Sequence, residues 1–145
     1  MNKVITIDGP SASGKGTLAI LLAKRLNWKI LDSGALYRAF AYFSISENEQ
    51  GLIEKNLRKI SFNIVDNSIQ VLFENEDISR HLRTEKTAIQ ASKISSFIST
   101  REILLPIQRF FSETSNLIAD GRDMGSVVFP NANLKFFLDA APEVR

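Results

Sequence analysis

The stretch Val4-Ile5-Thr6-Ile7-Asp8-Gly9-Pro10-Ser11-Ala12-Ser13-Gly14-Lys15-Gly16-Thr17 decides the fold. Val4, Ile5 and Ile7 make a β-branched run that ends at Asp8, and Leu18, Leu21, Leu22 and Leu26 recur at the spacing of one helix face. Strand, glycine-rich loop and helix in that order make a cradle for phosphate groups. Glycines let successive N–H groups turn inward, and the positive end of the helix adds to their field. Gly9, Pro10, Ser11, Ala12, Ser13, Gly14, Lys15, Gly16 and Thr17 are therefore expected around a triphosphate tail, with Lys15 bridging its outer phosphates as a point charge. The hydroxyl that usually follows such a lysine directly is displaced here, because Gly16 precedes Thr17. Thr17 is a weaker candidate for a magnesium ligand on that account.

Outward from this loop, Trp28 to Leu31 reads as a second strand, and Asp32-Ser33-Gly34 turns the chain into a helix carrying Leu36, Phe40 and Phe43. Strands alternating with helices predict an α/β fold, a parallel sheet with flanking helices and ligand groups at the carboxyl ends of its strands. Residues 47–59 read as helical through Leu52, Ile53 and Leu57, weakened by Gly51. The period then changes. Ile60, Phe62 and Ile64 alternate with polar residues, Asp66-Asn67-Ser68 supplies turn chemistry, and Ile69, Val71 and Phe73 alternate again. This predicts an antiparallel hairpin inserted beside the parallel sheet. Two helices are expected at 84–98 and 100–113, the second with a kink or restart near Ile103 because of Pro106. The parallel sheet resumes at Leu117-Ile118-Ala119 and ends with Leu134 to Leu138, whose nearly continuous apolar run suggests cover on both faces; with seven residues following it, the Phe136 to Leu138 region is expected to be exposed in this chain.

With 145 residues, 44% of them hydrophobic, the chain can build one domain with a real core. The expected division is a core of 1–46 and 115–145 and an insert of about 60–113. A formal net charge of +2 gives no footprint for nucleic acid or an anionic membrane. The absence of cysteine excludes disulfides and thiolate metal sites, and the single His81, expected on the wet surface, builds no metal site. Trp28 and the phenylalanines are expected in the core. The apolar run from Leu18 to Ala23 is too short to span a bilayer, and Met1-Asn2-Lys3 opens no leader of the secretory type, so a cytoplasmic protein is expected.

Two further clusters fall at strand ends. Asp32-Ser33-Gly34-Ala35-Leu36-Tyr37-Arg38 puts a hydroxyl at a strand terminus and a guanidinium on the first turns of a helix; a helix cap and a surface charge would look the same. Asp120-Gly121-Arg122-Asp123 offers a carboxylate that holds magnesium directly or through water, and an arginine that grips phosphate with two prongs; a tight turn is the plainer alternative. With Lys15, Arg38 and Arg122 in one cleft, the set suits phosphoryl transfer, which demands charge neutralisation more than covalent chemistry.

These strings resemble a known family. Ile7-Asp8-Gly9-Pro10-Ser11, Leu31 to Arg38, Ile118 to Gly125 and Val127-Val128-Phe129-Pro130 are similar to those of bacterial cytidylate kinases, within the P-loop NTPase-type nucleoside monophosphate kinases. The resemblance implies transfer of the γ-phosphoryl group of ATP to CMP or dCMP with Mg2+, by a monomer when full length. It also implies that the hairpin belongs to an enlarged monophosphate-binding insert. Carried over by position, Ser33, Arg101 and Asp123 would contact the cytosine edge, Arg38 and Arg122 the acceptor phosphate, and Ser92 the sugar. Lys15, Arg38 and Arg122 would be the catalytic set. Family members are expected to continue past residue 145 through an arginine-rich lid. A nucleotide-binding fragment without transfer is therefore the alternative at this stage, and a kinase of the same fold acting on shikimate or AMP is a third reading.

Overall fold

The computed structural model describes residues 1–10 and 13–139. In chain order the elements are β1 (Val4–Asp8), α1 (Lys15–Leu26), β2 (Lys29–Asp32), α2 (Ser33–Ser46), α3 (Gln50–Leu57), β3 (Ile60–Val65), β4 (Ser68–Phe73) and β5 (Glu76–Asp77). They continue with α4 (Ser79–Leu82), α5 (Glu85–Ser95), α6 (Ile98–Thr114), β6 (Leu117–Gly121), a single π-helical turn (Met124–Val128) and β7 (Leu134–Phe137). By contact the chain divides into two units, one of Met1–Ser33, Ile64–Ile69 and Gln108–Arg145, the other of Gly34–Asn63 and Gln70–Ile107. No helix among the described residues is long and apolar enough to cross a membrane.

The first unit holds the expected parallel sheet, in the order β2-β6-β1-β7. Its register pairs Ile7 with Asp120, Asp8 with Gly121 and Asp32 with Asp120, so three aspartates gather at the carboxyl ends of adjoining strands. Ile7 and Leu31, next to those ends, and Leu117 and Ile118, at the start of β6, are buried in the core.

α1 packs on β6 through a different face from the one its leucines suggested. Its buried residues are Ala19 and Ala23, while Leu21 and Leu26 are exposed. Small side chains let a helix axis approach a sheet closely, and that close approach decides which face turns inward. The exposure expected at the end of the sheet is seen. β7 is the edge strand, paired on one side with β1, and Leu134, Phe136 and Phe137 are exposed. Phenylalanines divide accordingly: Phe40, Phe43, Phe62 and Phe129 are buried, whereas Phe97, Phe110, Phe136 and Phe137 are not.

The antiparallel sheet β3-β4-β5 lies mostly in the second unit, its 64–69 segment grouping with the first. Its turns are built from residues with left-handed backbone, Asp66 in one and Glu74-Asn75 in the other, as tight hairpins require. β5 and α4 were not legible in the sequence. Asp77 joins them: the Ser79 hydroxyl and N–H and the Gln70 side chain hold its carboxyl down to about 2. Phe43 packs tilted against Phe73, with ring centres 4.9 Å apart, and exposed His81 stacks on Tyr42. α6 continues through Pro106 without a restart near Ile103; Pro106 lies at an exposed position and removes one hydrogen bond from a long helix.

Candidate active site

The candidate phosphate-binding features start where β1 ends. Pro10 accepts hydrogen bonds from the Ser13 N–H at 3.1 Å and the Ser13 hydroxyl at 2.6 Å. Gly14, the N-cap of α1, sits in the left-handed region at φ 83°, where a side chain would be strained, and a Cβ there would meet open space. The N-cap Gly14 offers no side chain to cap this helix and no acid lies in its first turn, which leaves the positive end of α1 available to an anion. Ser11 and Ala12, both in the expected loop, lie outside the described residues.

Lys15 opens α1 and reaches across to β6. Its ammonium lies 3.1 Å from Oδ1 of Asp120, and both side chains are largely buried. Oδ1 is fully enclosed and has no hydrogen-bonding partner of good geometry among the described residues, so the ion pair is what compensates it. Burial pushes the Asp120 carboxyl above its ordinary value, Lys15 pulls it back, and the neighbouring Asp32 and Asp8 push it up again. A buried carboxylate under that stress favours any additional cation that reaches it. Among the described residues no three His, Cys, Asp or Glu side chains are grouped to hold a metal. One carboxylate beside a phosphate loop fits magnesium of the kind that keeps its waters and is shared with nucleotide phosphates. Thr17 stands exposed on the first turn of α1.

The segment after β6 is held at both ends. Asp8 accepts from the Met124 N–H at 2.7 Å and the Gly125 N–H at 2.9 Å, both buried, so one carboxylate holds two successive amides of the π-turn. Arg109 donates to the Val128 carbonyl at 2.9 Å and the Val127 carbonyl at 3.0 Å and clamps the other end of that turn. Asp123 caps the turn with φ 58°, a left-handed conformation that aspartate tolerates better than most residues. Asp123 and Arg122 are consequently exposed on a backbone fixed from both sides.

Ser33, at the start of α2, donates its hydroxyl proton to Oε1 of Gln108 at 2.7 Å, and both residues are buried. A Cβ on Gly121 would fall 2.7 Å from that of Ser33, so glycine is what lets the end of β6 lie against it. Lys15, Thr17, Ser33, Asp120, Arg122 and Asp123 thus belong to the first unit, while Arg38, Ser92 and Arg101 belong to the second, Arg38 on α2, Ser92 on α5 and Arg101 on α6. Asp8, Gln108 and Arg109 were missed as site residues. Asp8 could have been found as an acid at the end of the strand that feeds the loop; the other two leave no local signal, because their partners lie elsewhere in the sequence.

Residues 5–145 match the family model for cytidylate kinase. Cytidylate kinase of Aeromonas salmonicida is 49% identical over 100% of this chain and 66% of its own length. Those of Photobacterium profundum and Pseudomonas fluorescens are 48% and 47% identical, each over 98% of this chain. The chain spans about two thirds of the length of these relatives, 65–66%.

Proposed function

Because the chain belongs to the cytidylate kinase family, we propose that it binds ATP and CMP or dCMP and supports transfer of the γ-phosphoryl group between them. The observation that carries this reading is the glycine-led start of α1, with no acid in its first turn, beside the Lys15–Asp120 ion pair. In the reaction a phosphate oxygen of CMP attacks the γ-phosphorus, the bond to the β–γ bridging oxygen breaks, and ADP departs with that electron pair. Phosphate oxygens are met by the loop amides and Lys15, and Lys15 exchanges its carboxylate partner for them as they arrive. Arg38 and Arg122 neutralise the acceptor phosphate. Magnesium, when bound, spreads the charge of the outer phosphates; Asp120, directly or through water, and Thr17 would hold it.

At the base, Asp123 accepts from the exocyclic amine of cytosine, Ser33 and Arg101 complete the edge, and Ser92 meets the sugar. Uracil presents a carbonyl where cytosine has that amine, so two acceptors would face each other. The working protein in this reading is a cytoplasmic monomer with nucleotides as its partners.

The test is a coupled transfer assay beside calorimetric titration with CMP, dCMP, UMP and AMP. CMP and dCMP are expected to bind tenfold to a hundredfold more tightly than UMP, a ratio of about the size that one unpaired buried polar group produces. Equal affinity for CMP, UMP and AMP would refute the assignment. Binding without turnover would instead favour a nucleotide-binding module.

A further inference from the structure

We infer that Gln108 is a positioning residue that sets base selectivity by fixing the direction of the Ser33 hydroxyl. The inference rests on the reading that Ser33 meets the pyrimidine edge. A serine hydroxyl carries one proton and two lone pairs, whereas an amide oxygen carries no proton and can only accept. With Oε1 of Gln108 at 2.7 Å, the proton of Ser33 is committed to Gln108. Only lone pairs remain for a ligand.

Gln108 sits near the carboxyl half of α6 and is 2% exposed, and Ser33 is 4% exposed, so water does not compete for the proton. The Ser33 side chain has little room to turn away, because Gly121 approaches it closely enough that even a methyl group there would collide. A free hydroxyl is indifferent: it accepts from an amine or donates to a carbonyl by rotating. A hydroxyl held in this way accepts from the 4-amino group of cytosine and meets the 4-oxo group of uracil lone pair to lone pair. Selectivity on this account comes from the wrong partner being repelled as well as the right one being bound.

The experiment is calorimetric titration of the full 145-residue chain and its variants with CMP and UMP, alongside thermal melting. Gln108→Leu removes the acceptor, and the CMP-to-UMP affinity ratio is expected to fall about tenfold, chiefly because UMP binds more tightly. A merely structural lesion weakens both ligands and cannot strengthen one. Gln108→Glu keeps an accepting oxygen at the same reach and is expected to keep the ratio within about twofold, which also serves if the leucine variant fails to fold. Ser33→Ala should lower the ratio by itself and abolish any further effect of Gln108→Leu.

An unchanged ratio in Gln108→Leu, or a lowered one in folded Gln108→Glu, overturns the role of Gln108 while leaving Ser33 at the base. An unchanged ratio in Ser33→Ala, with CMP still bound, removes Ser33 from the base and overturns both.

Discussion

Lys15→Met is expected to lower phosphoryl transfer about a thousandfold while the chain stays folded. One preorganised group aimed at developing charge in a water-poor site supplies two to three orders of magnitude in rate, and Lys15 is the cation of the proposed phosphate loop. The fold survives because of Asp120. Burial already pushes that carboxyl above its ordinary value, so when Lys15 is removed it takes up a proton more readily rather than remain an unpaired buried anion. Lys15→Met with Asp120→Asn should therefore match the wild type in urea midpoint and remain inactive. Steady-state kinetics and denaturation on the same samples check this. Activity within tenfold of wild type in the single variant would show that phosphate is gripped elsewhere.

Asp8→Ala acts on stability instead. It strips two buried amides, Met124 and Gly125, of their acceptor, and the loss is expected to be about 3 kcal/mol, since hydrogen bonds to a charged group contribute roughly 1.5–3 kcal/mol each and orphaned buried donors are costly. Asp8→Asn, which keeps one accepting oxygen, should lose about half as much. The midpoint of urea unfolding reports it, with the slope unchanged if the variant stays two-state. Because the π-turn also sets Asp123, CMP affinity should fall further than ATP affinity in either variant. A loss below about 1 kcal/mol in Asp8→Ala would mean that the two amides find water or another acceptor.

What the sequence makes legible here follows from range. Strand, loop and helix at the amino terminus, the β2 to α2 start and the hairpin alternation depend on neighbours within a few residues, and each appears near its expected place. Which face of α1 turns inward depends on how closely the helix approaches β6; the leucines carry the stronger periodicity, yet Ala19 and Ala23 are buried. β5 and α4 are too short to show a period, and the π-turn is shaped by Asp8 and Arg109, 116 and 19 residues away from the atoms they hold. At the site, Lys15 and Asp120 stand out in the sequence because each belongs to a recognisable string. Gln108 does not, since its significance is the single hydroxyl of Ser33, 75 residues earlier.

The central claim is the proposal that one chain binds both a triphosphate tail and an acceptor phosphate. Adenosine and cytidine joined 5′ to 5′ through five phosphates should bind one molecule per chain, about a hundredfold more tightly than ATP or CMP alone, because the second half binds at high effective concentration. Titration calorimetry gives both stoichiometry and affinity. An affinity no better than that of ATP, with CMP still binding to the saturated complex, would contradict the account.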